Sequence, residues 1–78
     1  MVEEAGLCAL SIAAALIERG DFTEARALTR QVVEEFTAAG LDERAIGAVS
    51  GLSDAIDADD ATAETVHTVR AFVEGLSW

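Results

Sequence analysis

Read as a pattern of apolar and polar positions, the chain has a helical period along most of its length and no strand signal. From Leu7 to Ile17 nearly every position is apolar. The break Gly20-Asp21-Phe22 follows, and then Ala25, Leu28, Val32 and Phe36 recur at helical spacing. This pattern predicts a helix from about Val2 to Arg19, ended by Gly20, and a second helix N-capped by Thr23 and running to about Ala39, with Gly40 as its left-handed C-terminal cap. Glu3 and Glu4 are placed to favour the positive end of the first helix dipole.

The same reasoning predicts a third helix, capped by Asp42 and running to about Ile56, with Leu41, Ala45, Ile46, Val49, Leu52 and Ile56 on its apolar side. Asp57 to Asp60 form the last connection, and their carboxylates are expected to cap a fourth helix over about Ala61 to Leu76. That helix presents Val66, Val69, Val73 and Leu76 on one face, with Phe72 beside them. The expected fold is all-α, with about four helices in antiparallel hairpins, one over about 2–39 and one over about 42–76, in a single domain spanning 1–78. A seam of Gly47, Gly51, Ala48 and Ala55 on the third helix predicts a closely packed neighbour, because a helix-interior Gly costs about 1 kcal/mol against Ala.

Composition narrows the functional classes. The 78 residues are 51 % hydrophobic and 26 % charged, which fits a globular helical protein and neither a disordered tail nor a membrane span. Fifteen acidic residues stand against five arginines and no lysine, and the net charge of −10 repels phosphate backbones and anionic headgroups. Neither nucleic acid nor membrane is therefore an expected partner. The single Cys8 can form no internal disulfide and no structural zinc site, which favours a reducing, cytoplasmic setting. The run from Leu7 to Ile17 is too short to cross a bilayer and follows Glu3 and Glu4 rather than positive charge, so no export signal is expected. Arginine without lysine, together with abundant alanine, points to a GC-rich bacterial coding sequence.

A shift of about 34 residues lays Ile12-Ala13 on Ile46-Gly47, a weak internal repeat. A slightly larger shift lays Val32 and Phe36 on Val69 and Val73. Ala9, Ile12, Ala13, Leu16, Gly20, Phe22, Ala25 and Val32 fall where a tetratricopeptide repeat places its signature residues, and over Ala9 to Phe36 the chain resembles that family. From Leu41 to Leu76 it is similar only to the divergent closing helices of bacterial repeat proteins. The sequence departs from the family at Ala9, where a large residue is usual, and at Thr29, where an aromatic is preferred. It also lacks Pro after the second helix. The resemblance implies a scaffold or adaptor that binds protein through a concave surface lined by the leading helix of each hairpin.

If Ala9, Ile12, Ala13 and Leu16 point into the first hairpin, the helical period turns Leu7, Leu10, Ala14 and Ile17 toward the groove side. A helix that is apolar nearly all round needs cover on all sides. Either the third helix or the first few residues fold over that stripe, or it forms an interface. The second option makes Leu7, Leu10, Ala14 and Ile17 candidate partner-binding residues, with Arg44 as the cation on the corresponding face of the third helix, placed to grip a carboxylate.

Nothing in the sequence assembles a reaction centre. His67 has no second histidine or cysteine near it, and Cys8 sits among apolar neighbours as a small buried hydrophobe. Asp57, Asp59 and Asp60 superficially resemble a calcium loop, but the glycine bend is missing and Thr68 stands where the bidentate Glu belongs. Glu34 and Glu35 are adjacent on a helix and point apart. No enzyme activity, cofactor or metal is expected. The leading expectation is a protein–protein interaction module or adaptor, self-associating or part of a larger assembly. The alternative is an acidic antitoxin or anti-activator that masks a basic site on a regulatory partner.

Overall fold

A computed structural model of the chain describes residues 2–76, the side chains of Val2 and Glu3 excepted, so the expected dipole role of Glu3 lies outside the described side chains. Four helices follow one another: α1 (Val2–Glu18), α2 (Phe22–Ala38), α3 (Glu43–Asp57) and α4 (Ala63–Glu74). Their ends are set by local chemistry. Asp21, rather than the expected Thr23, caps α2 by accepting a hydrogen bond from the Glu24 amide at 3.4 Å. Asp42 caps α3 through the Arg44 amide at 2.8 Å. The fourth helix is capped by Thr62, which forms a reciprocal capping box with Thr65, and not by the aspartates before it.

The three turns between helices share one construction. Each of the first three helices ends with a residue in the left-handed region, at φ of 80° for Gly20, 67° for Gly40 and 56° for Asp59. Behind each, the next amide reaches back to a carbonyl in the last turn, from Asp21 to Leu16, Leu41 to Phe36 and Asp60 to Ala55. This is the Schellman arrangement. It satisfies carbonyls that the helix leaves open, and it reverses the chain in very few residues.

With such short turns each helix runs antiparallel to the next, and the two expected hairpins form. They close into a ring: α1 lies along α2 and α4, α3 lies along α2 and α4, and the backbones of the diagonal pairs do not approach closely. Side-by-side stacking of leading helices would instead bring α1 against α3. The concave surface lined by α1 and α3 is therefore not formed by these helices.

The core is the shared inside of the ring. Leu10, Ala13, Ala14 and Ile17 from α1 meet Ala25, Val32 and Phe36 from α2, Ala45, Val49, Leu52 and Ile56 from α3, and Val66 and Val73 from α4. Thr29 is also fully buried, its hydroxyl donating to the Ala25 carbonyl at 2.7 Å. Buried polar groups are tolerated when so satisfied. Small residues set the tightest approach. Gly6 on α1 is buried, and a methyl group there would collide with the Phe36 ring. Exposed surface totals 4434 Å², close to the about 4500 Å² that size scaling gives a folded monomer of this mass.

Arginine contacts tie the ring across two of its seams. Asp57, at the end of α3, takes Arg26 at 2.5 Å and Arg30 at 3.2 Å from α2. The Arg26 contact is one of charge rather than a well-formed hydrogen bond. On the other side, Arg70 of α4 donates from Nε to the Leu7 carbonyl at 3.3 Å and pairs with Glu74 at 2.9 Å. Among the described residues no helix is long and apolar enough to cross a membrane.

Candidate functional site

The stripe expected to meet a partner is largely inside the bundle. Leu10, Ala14 and Ile17 are buried and Leu7 is half-buried. The physical reason is the closure of the ring: α4 returns to lie along α1 and covers the side that sequence reasoning left open. Core residues of the third helix, one of the expected covers, belong to the same buried cluster as Leu10, Ala14 and Ile17. Arg44 is exposed at the start of α3, but it grips a carboxylate of its own chain, Asp42, through Nη2 to Oδ2 at 2.7 Å and Nε to Oδ1 at 3.1 Å. That clamp holds the Asp42 carboxyl at a pKa of about 2, because the Arg44 side chain and amide both donate to its charged form, and it raises the Arg44 pKa. The five predicted residues therefore do not converge on one surface.

The phase of α1 is rotated from the expected one, and the rotation exposes different residues. Ile12, expected inside the hairpin beside Ala13, is 55 % exposed. It lines an open groove of about 560 Å³ between α1 and α2, with Leu16 from α1 and Thr23, Glu24, Ala27, Leu28 and Gln31 from α2. Ile12, Leu16, Ala27 and Leu28 supply apolar surface. Thr23, Glu24 and Gln31 supply a hydroxyl, a carboxylate and an amide. A groove of this kind can bury the side chains of an amphipathic segment and fix it with one or two polar contacts. Glu24 is the one ionisable residue of its lining.

Sequence reasoning missed this groove because a helix apolar on every side gives no phase. The signal that resolves it lies in the turns. Gly20, Gly40 and Asp59 stand at nearly equal spacing, and the buried positions of α2 (Ala25, Thr29, Val32, Phe36) and α3 (Ala45, Val49, Leu52, Ile56) fall in the same register after the preceding turn. The single-helix period, rather than the longer hairpin period, is the one that burial follows.

Other candidate groups are scattered. Cys8 is exposed on α1, contrary to the buried position expected from its neighbours, because its side of the helix faces away from α2 and α4. His67 is exposed on α4. A shallower depression along the start of α4 is lined by Thr62, Glu64, Thr65, Thr68 and Val69, and the two threonine hydroxyls at its head are engaged in the capping box. Asp57 is committed to Arg26 and Arg30. Among the described residues no group of three or more His, Cys, Asp and Glu side chains is arranged to hold a metal ion. Against known proteins, the chain matches no family model, and no curated protein or solved structure is significantly similar to it.

Proposed function

We propose that the chain is a helical interaction module, without catalytic chemistry of its own, that receives a helix of a partner protein in the groove between α1 and α2. The observation that carries this reading is Ile12. Among the described residues only Ile12 and Phe72 are large hydrophobics exposed at all widely, and Ile12 stands in a groove already floored by Leu16 and Leu28. An apolar side chain held in such a setting gains roughly 1.5–3 kcal/mol when a partner covers it completely. The adaptor role implied by the tetratricopeptide likeness of Ala9 to Phe36 is a role of the same kind. A single thiol suits a reducing, cytoplasmic setting for it.

The test is site-specific photo-crosslinking in cells. A photoreactive residue at Gln31, in the groove, is expected to capture protein adducts that disappear on Ile12→Glu, whereas one at Asp54, exposed on α3, captures none above background. Equal adducts at the two positions, or adducts indifferent to Ile12→Glu, overturn the reading.

The acidic surface favours a second reading, a masking protein for a basic site. Four of the five arginines are taken up by carboxylates of the same chain, so the exposed acids are left largely uncompensated. A complex of that kind weakens by orders of magnitude as salt is added, while one made in the Ile12 groove holds.

A further inference from the structure

We infer that the outer face of α1 docks on the α1 of a second copy of this chain, antiparallel and about a two-fold axis that passes between Ser11 and Ile12. The inference goes beyond the interaction-module reading: it shares Ile12 with the groove and adds a contact surface beside it.

The outward face of α1 carries, in order, Glu4, Cys8, Ser11, Ile12 and Ala15, with Arg19 following in the turn just past its end, and every one of these is exposed. The spacing of three and four residues keeps them in one line along the helix. Between Glu4 and Glu18 the helix has no charged residue on any side. A bundle with net charge −10 therefore presents an uncharged stretch of helix from Ala5 to Ile17, flanked by Glu18 at its end and Glu24 across the groove from Ile12, on which a second acidic copy can approach.

The line is complementary to itself when reversed. Laid antiparallel, Glu4 falls opposite Arg19, Cys8 opposite Ala15, and Ser11 opposite Ile12, over about 22 Å of helix. A two-fold interface requires this kind of match, because each contact is made twice by the same pair of residues. The small side chains of Cys8, Ser11 and Ala15 allow the helices to come close, and the two Ile12 side chains meet near the axis, where complete desolvation gives the most.

Arg19 supplies the independent observation. Among the described residues it is the one arginine with no ion pair or side-chain hydrogen bond, while Arg26, Arg30, Arg44 and Arg70 are all held by carboxylates of their own chain. Glu4, at the other end of the line, is equally free. The uncharged face thus ends in one unspent cation and one unspent anion, placed to answer each other across a dimer.

The experiment is sedimentation equilibrium on the full chain, run from low micromolar to millimolar concentration. Wild type is expected to pass from monomer to dimer and no further, since a closed two-fold contact uses up the face. Arg19→Glu is expected to weaken the dimer about tenfold or more, by setting like charges together at both ends. The double variant Glu4→Arg with Arg19→Glu is expected to recover it, because reversal of both charges restores the pairing. Both sites are exposed, so circular dichroism should show the helices unchanged in all three proteins. A second measurement reads the orientation: mild oxidation of Ala15→Cys should give interchain disulfides joining Cys8 of one copy to the introduced thiol of the other, whereas wild type stays reduced. A chain that remains monomeric throughout, a double variant no better than the single one, or wild-type Cys8–Cys8 crosslinks overturns the inference. Persistent Gln31 adducts to another protein in such a monomeric chain would leave the interaction-module reading standing.

Discussion

The two hairpins use glycine in opposite ways. In the α1–α2 hairpin, Gly6 is buried where α2 brings Phe36 against α1, and there is no room for even one added carbon. In the α3–α4 hairpin, Gly47 and Gly51 are exposed, and a methyl group on either would meet nothing within 4 Å. The sequence predicts a packing seam at the second pair, and the structure puts the close contact at Gly6 instead. A glycine inside a helix weakens it to a similar degree in both places, so its presence alone does not report a close neighbour. What distinguishes the two is the large side chain across the interface. Phe36 provides one for Gly6, whereas Gly47 and Gly51 stand on the outward side of α3 with open space beyond them.

That contrast can be broken most forcefully at Gly6. Gly6→Ala is expected to destabilise the fold by about 1–2 kcal/mol in urea denaturation, because overpacking against a fully buried ring outweighs the gain in helix propensity. In a double-mutant cycle, Gly6→Ala should cost less in a Phe36→Leu background than in wild type, and an equal cost in the two backgrounds would show that the collision is not the cause. In the other hairpin the sign reverses. Gly47→Ala and Gly51→Ala should each stabilise by about 0.5–1 kcal/mol and add nearly independently, visible as a rise in the urea midpoint. A loss of stability at either would reveal a packing role.

The turns sharpen the comparison further. The α1–α2 and α2–α3 turns place glycine in the left-handed position, whereas the α3–α4 turn places Asp59 there, at φ 56° and between Ala58 and Asp60. Asp59→Gly should stabilise by up to about 1 kcal/mol, by relieving the backbone cost that a side chain carries in that region and removing one like charge from the acidic turn.

The smallest effect concerns acid. The Asp42 carboxyl is held at a pKa of about 2 by Arg44, below the about 3.9 of an unfolded aspartate. A depressed folded pKa contributes stability that is present above about pH 4 and is lost as pH falls toward 2. Asp42→Asn keeps a competent N-cap and removes the charge, so its stability should fall less than that of wild type over this acid range. Parallel curves for the two proteins would show that the Asp42 charge contributes nothing to stability over this range.

Much of the fold was legible beforehand, for reasons that are local. Gly20 and Gly40 ended helices where expected, and Asp42 capped the third one. The faces of α2 and α3 were read correctly at Ala25, Val32, Phe36, Val49, Leu52 and Ile56, because polar residues on their other sides fix the phase. The caps of α2 and α4 were misplaced by a few residues, since Asp21, Thr23 and Thr62 are all competent to cap and only geometry selects among them. The candidate site was not legible. Leu10, Ala14 and Ile17 were placed outside and Ile12 inside, and the structure has them the other way round.

By itself, the order of residues determined that this chain makes helices, roughly where each begins and stops, and which side of the two mixed helices is oily. Those choices depend on neighbours three or four positions apart and on the chemistry of single turn residues. Only the tertiary structure decided the orientation of α1, because a helix apolar all round is settled by what surrounds it. The return of α4, whose Arg70 reaches the Leu7 carbonyl from the far end of the chain, covers one side of α1 and leaves Ile12 and Arg19 facing out.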